Sequence, residues 1–162
     1  MKITIRHTDN RNKMVMSHCS IDRLLSRMTT DDSRRTVMRF REVAPYRDRK
    51  IHNYDDMPQW RHVYPGAELK RDDNDNMVMK CCNGIITLQF GDVTDRDAIE
   101  KVKRAVAFVP STMAAFQGAD GMSVVVLVRY AGADGTLPSA EEEADRQYRI
   151  AHQRILPIYR AV

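Results

Sequence analysis

The stretch 122–128 constrains this chain more than any other. Six of its seven residues are apolar, four of them valine, with Ser123 as the one interruption. Seven residues fall far short of the roughly 20 that a membrane-spanning helix needs, and β-branched side chains favour the pleated surface of a sheet. Gly118-Ala119-Asp120-Gly121 stands immediately before it as a turn signal, and the apolar segment 112–116 before that. The pattern predicts a hairpin of strands 112–116 and 122–130. A sheet must therefore lie at the centre of the fold.

The rest of the second half supplies partners for that hairpin. Residues 84–90 read as a buried strand, with Ile85, Ile86, Leu88 and Phe90 apolar. Residues 92–109 read as a helix capped by Thr94 or Asp95, with Ile99, Val102, Val106 and Val109 on one face and Pro110 as its stop. Pro138-Ser139 opens a last helix whose first turn is acidic (Glu141, Glu142, Glu143) and whose later turns carry Arg146, Arg149 and Arg154, in the sense that the helix dipole favours.

In the first half, residues 1–7 alternate as a half-buried strand. Ser20 caps a helix over 21–28 with Ile21, Leu24, Leu25 and Met28 on one face, and a second helix is expected over 33–43 after Thr30, Asp31 and Asp32. Pro45, Pro58, Pro65 and Gly66 break the pattern over 44–79, where 60–64 is a candidate short strand with Trp60 as a core anchor, and 72–76 is a polar turn. The expected class is α+β: a ferredoxin-like or RRM-like antiparallel sheet with helices packed on one face and the other face open to a ligand. No linker or repeat divides the chain, so 1–162 reads as one domain, with a basic, less regular part (1–80) and a strand-helix-strand-strand-helix part (81–162). The last helix runs to the end without a glycine cap, as expected for the N-terminal piece of a longer protein.

Charge is distributed unevenly. Residues 1–71 carry +7 and residues 72–162 carry −3. Arg34, Arg35, Arg39, Arg41, Arg47, Arg49 and Lys50 fall within seventeen positions, a density suited to neutralising phosphates. The three cysteines, two of them adjacent, do not make a disulfide framework, and the five histidines lack zinc-ligand spacing. Residues 1–6 contain no secretory apolar stretch, so a cytoplasmic setting without a membrane partner is expected. Phosphate-binding glycine motifs and nucleophile elbows are missing from the sequence.

The stretches Asn83-Gly84-Ile85-Ile86-Thr87-Leu88-Gln89-Phe90, Val109-Pro110-Ser111-Thr112-Met113-Ala114-Ala115-Phe116-Gln117-Gly118 and Gly121-Met122-Ser123-Val124-Val125-Val126-Leu127-Val128-Arg129-Tyr130, in this order and spacing, resemble the VirE N-terminal family of bacterial mobile-element proteins. That family is primase-polymerase-like. The resemblance implies a primase-like fold whose relatives clamp two divalent metals with carboxylates at a strand end. Here Gln89 and Gly91 stand at those positions, with Asp92 as the nearest acid. A Ser-x-His motif on the next strand corresponds to Ser123 and Val125, so an aliphatic residue replaces the phosphate-binding histidine. The resemblance therefore implies a catalytically degenerate, nucleic-acid-binding or replication-accessory domain that needs no cofactor. The arginine cluster and Arg129, which leaves the hairpin strand beside the former site, would contact phosphates. Two alternatives stand beside it: an active nucleotidyltransferase using Asp92 with Mg or Mn, and an interaction module that docks a helicase-like partner.

Overall fold

The computed structural model describes residues 1–9, 11, 13–30, 34–43, 61–91, 93 and 95–162, with the backbone alone at positions 36, 39, 40 and 43. Trp60, Asp31 and Asp32 thus lie outside the described residues, as do the other residues of 44–60, the first part of the irregular stretch.

The N-terminal strand β1 (Lys2–Thr8) forms as its alternation predicts, but it enters a sheet of three. It pairs antiparallel with β2 (Met14–Ser20), from Lys2 opposite Ser20 to Thr8 opposite Met14, and on its other edge with β3 (His62–Tyr64). Strand β2 has no counterpart in the sequence reading, because Met14 to Ser20 mixes polar and apolar residues on both of its faces. The β1–β2 turn is held by Asp9, whose carboxylate accepts the backbone N–H of Arg11 at 2.8 Å and of Lys13 at 2.9 Å. Helix α1 (Ile21–Met28) begins at once behind Ser20, whose hydroxyl caps it by accepting from Arg23 N–H. Ile21 is buried, while Met28 at the end of the expected stripe is exposed. Helix α2 (Arg34–Val43) follows.

Strands β4 (Ala67–Arg71) and β5 (Met77–Cys82) form a second sheet, a hairpin within what reads as irregular sequence. The polar turn between them is the one the sequence signals. Asp72 accepts the N–H groups of Asn74 at 2.9 Å and Asn76 at 2.8 Å, and Asp75 takes a left-handed φ of 65°. The hairpin lies against β1, where the buried Thr4 hydroxyl accepts Leu69 N–H at 2.7 Å.

The third sheet carries the core. Its order is β6-β8-β7, with β6 (Ile85–Phe90), β7 (Thr112–Gln117) and β8 (Val124–Arg129). Both outer strands run antiparallel to β8, so β6 and β7 are parallel to each other and α3 (Arg96–Ala107) crosses between them, the split βαβ arrangement expected. Asp95 caps α3 as predicted, its carboxylate accepting from Asp97 and Ala98. Helix α4 (Glu141–Arg160) starts at Glu141, with Ala140 at its cap position making no side-chain bond. Its first carboxylate is instead used outward, where Glu141 accepts Met79 N–H at 3.0 Å and ties the helix to β5.

Alternation along β6 and β8 splits the core in two. Ile86, Leu88, Val124, Val126 and Val128 face α3 and α4, packing on Ile99, Val106 and Tyr159. Ile85 and Leu127 point the opposite way and are covered by Ile3 of β1 and Ile21 of α1. The fold is α+β, with α3 and α4 on one face of the third sheet; the opposite face, expected to stay open and free of helices, is closed at this end by β1 and α1. Further along β6 this face carries the exposed Thr87 and Gln89. Asn83 rivets the two halves, its amide donating to Lys2 O at 2.8 Å and Pro65 O at 3.0 Å. Among the described residues no helix is long and apolar enough to cross a membrane.

Candidate functional site

The uncovered end of the third sheet gathers a set of polar groups. Gln89, on the penultimate residue of β6, stands opposite Val125 of β8. Its amide donates to the Ser123 hydroxyl at 3.1 Å, and that hydroxyl, buried within the sheet end, donates in turn to the Asp120 carboxylate at 2.8 Å. Asp120 also accepts the backbone N–H groups of Met122 and Ser123, both at 3.0 Å, which folds the β7–β8 turn back over the strand end. A Cβ at Gly118 would run into the Ser123 hydroxyl, so the turn closes only with glycine there. Gln117 completes the corner by donating to Gly121 O at 2.8 Å.

Onto this corner α2 lays Arg41. Its Nη2 donates to Gly118 O at 3.4 Å, and its aliphatic stem covers Gly121. The guanidinium is half-buried, and its Nε–H is shielded from water without a hydrogen-bond partner among the described residues. A guanidinium carries five donors in a planar fork suited to oxyanions, and here most of that fork is unused. Arg34, seven residues earlier, falls on the same side of α2 about 10 Å along its axis. Arg34 and Arg35 are both exposed.

The structure thus brings three sequence-selected residues, Arg41, Gln89 and Ser123, to one corner, with Val125 half-buried beside them. Gly91 is exposed just past β6, and a Cβ there would meet nothing within 4 Å. Arg129 does not join them. It pairs opposite Ile85, four residues along β8 from Val125, which is about 13 Å of strand. The expectation that it flanks this site is corrected by the antiparallel register, which carries β8 away from the corner. Arg47, Arg49, Lys50 and Asp92 lie outside the described residues, and so does the Arg39 side chain. Asp120 and Gln117 escaped the sequence reading. The one available signal was the aspartate inside Gly118-Ala119-Asp120-Gly121, a residue type that bonds the backbone two or three positions on. Among the described residues no three His, Cys, Asp or Glu side chains converge as a metal cage would require.

The model of the family described as "BT4734-like, N-terminal domain" matches residues 56–162, well over half of the chain. The chain belongs to the BT4734-like N-terminal domain family. That finding replaces the VirE N-terminal, primase-polymerase assignment, which rested on short stretches individually common in buried strands and turns. The family match spans β3 to α4, and so holds Gln89, Asp120 and Ser123, whereas α2 with Arg41 lies before it. No curated protein and no solved structure matches the chain.

Proposed function

We propose that this BT4734-like domain binds nucleic acid through its phosphates, at the corner where α2 meets the β7–β8 turn. The observation that carries the reading is Arg41: a cation held in place by packing, with a water-shielded Nε–H left unsatisfied and two neutral donors or acceptors, Gln89 and Ser123, alongside. A buried donor without a partner costs about 1–3 kcal/mol, and a small shift of the guanidinium that opens Nε–H to an incoming phosphate oxygen removes that cost while adding a charge-assisted bond. Arg34 and Arg35 extend the positive edge along α2, and the +7 charge of residues 1–71 provides long-range attraction. Nucleotidyl transfer is not carried forward, because it depended on the primase-polymerase resemblance that the family match replaces.

The test is fluorescence anisotropy with single-stranded and duplex oligonucleotides over a salt series. Three phosphate contacts give a log–log salt slope of roughly −3 for duplex and about −2 for single strands. Arg41→Ala is expected to weaken every probe alike and to flatten the slope by about one, whereas Arg129→Ala, at the opposite end of β8, leaves both unchanged. Equal losses in the two variants, or no binding to any probe at low salt, would refute the assignment.

A further inference from the structure

Strand β7 forms an edge of the third sheet, and among the described residues it pairs with β8 alone. The antiparallel hydrogen-bond alternation identifies which backbone groups are left over. Gly118 N–H donates to Ser123 O at 2.8 Å, so Phe116 and Ala114, at even steps from Gly118, exchange bonds with β8. Ala115 and Gln117 direct their N–H and C=O groups away from the sheet. Edge strands of soluble proteins are ordinarily guarded by lysine, proline or a covering element. In β7, Thr112-Met113-Ala114-Ala115-Phe116-Gln117, there is no charge and no proline, and its irregularity between Thr112 and Ala114 disturbs only the first turn of the ladder.

A groove of about 420 Å³ runs beside this edge, between β7 and α3, with Ala114 and Ala115 on one wall and Glu100, Lys103 and Arg104 on the other. Glu100 and Lys103 neutralise each other at 2.8 Å. Arg104 is exposed and makes no hydrogen bond or ion pair among the described residues, which leaves the rim with a net positive charge. The methyl side chains keep the strand backbone within reach of a second chain.

We infer that this edge accepts an extended, acidic peptide segment of a partner protein, which adds to β7 as a further strand and sets a carboxylate against Arg104. Main-chain hydrogen bonds to Ala115 and Gln117 supply the docking, and the arginine selects sign of charge. The surface adjoins the Arg41 corner at Gln117 but docks its partner through the β7 backbone and Arg104, not through Arg41, so the inference stands or falls independently of nucleic-acid binding.

Amide hydrogen exchange followed by NMR on the whole chain tests it, with synthetic octapeptides that alternate valine with glutamate or valine with lysine. In the free protein the amides of Ala115 and Gln117 are expected to exchange faster than those of Ala114 and Phe116. The glutamate peptide slows the first pair by roughly tenfold or more, and the lysine peptide does not. Arg104→Glu weakens the glutamate peptide by roughly three- to tenfold. If that variant fails to fold, the comparison of the two peptides on the unaltered chain decides. The inference is overturned if Ala115 and Gln117 are already as protected as their neighbours, if both peptides protect equally, or if only an oligonucleotide protects them.

Discussion

Gly84 joins β5 to β6 at a φ of +62°, and a Cβ built there would stand 2.5 Å from Tyr130 O and 2.6 Å from Leu137 Cδ2. Leu137 is exposed and can swing aside. Tyr130 O cannot move alone, because Tyr130 N–H donates to Gly84 O at 2.8 Å in the first rung between β6 and β8. Gly135 shares the backbone conformation, with φ +78°, but has nothing within 4 Å of its added Cβ. The two glycines therefore separate conformational strain from collision. Placing alanine in the left-handed region costs about 1–2 kcal/mol, and that is the whole effect expected for Gly135→Ala. Gly84→Ala adds the displacement of a backbone carbonyl, comparable to overpacking at about 1–3 kcal/mol, for a total of roughly 2–5 kcal/mol. Urea unfolding followed by far-UV circular dichroism measures both, and at this chain length each kcal/mol lowers Tm by about 2–4 °C. If the two variants agree to within about 0.5 kcal/mol, the collision at the β5–β6 junction is not real and the register of β6 against β8 must be redrawn.

Two further outcomes follow from single contacts. Tyr159, buried at the end of α4, shares its phenol with the Thr112 hydroxyl at 2.6 Å, and Thr112 also donates to Val106 O at 2.6 Å. Tyr159→Phe leaves that second bond intact, so a loss of about 1 kcal/mol is expected in the same urea assay, and an unchanged or increased stability contradicts the tether. The Asp72 carboxyl is held below its ordinary pKa chiefly by the N–H of Asn76. The β4–β5 turn therefore gains stability that is present above the unfolded value, about 3.9, and lost as pH falls through the lower folded value. NMR titration should place the Asp72 midpoint below a model aspartate, with the Asn74 and Asn76 amides losing protection in the same acid range. A raised midpoint reverses the sign and refutes the turn geometry.

What could be read from the sequence follows the strength of local patterning. The valine-rich stretch at 124–128, the Asp95 cap and the Ser20 cap each depend on residues within a few positions of one another, and each appears where expected. Strand β2 was invisible because its hydrogen bonds come from β1 and not from any alternation of its own. The covering of Ile85 and Leu127 by Ile3 and Ile21 was equally hidden, since nothing near residue 85 announces a partner more than sixty positions away. The same limit applies to the site. Gln89 and Ser123 stand out in the sequence through a likeness that the family match replaces, and Arg41 through a charge cluster, yet their meeting depends on where α2 docks, which no local pattern encodes.

That docking also changes what the arginine cluster can mean. A run of cations on a solvated helix face is sequence-independent glue, and each exposed charge contributes little once salt screens it. Arg41 differs from such a charge because packing on Gly121 has already restricted its side chain and withdrawn its Nε–H from water. Less rotamer entropy is lost when an oxyanion arrives, and a donor that was unsatisfied becomes bonded. The positions that hold it there, Gly118, Asp120 and Gly121, all belong to the turn, and Asp120 fixes that turn through Ser123. The turn is therefore as much a part of the proposed phosphate corner as the arginine: a substitution that loosens it should weaken binding without removing any charge.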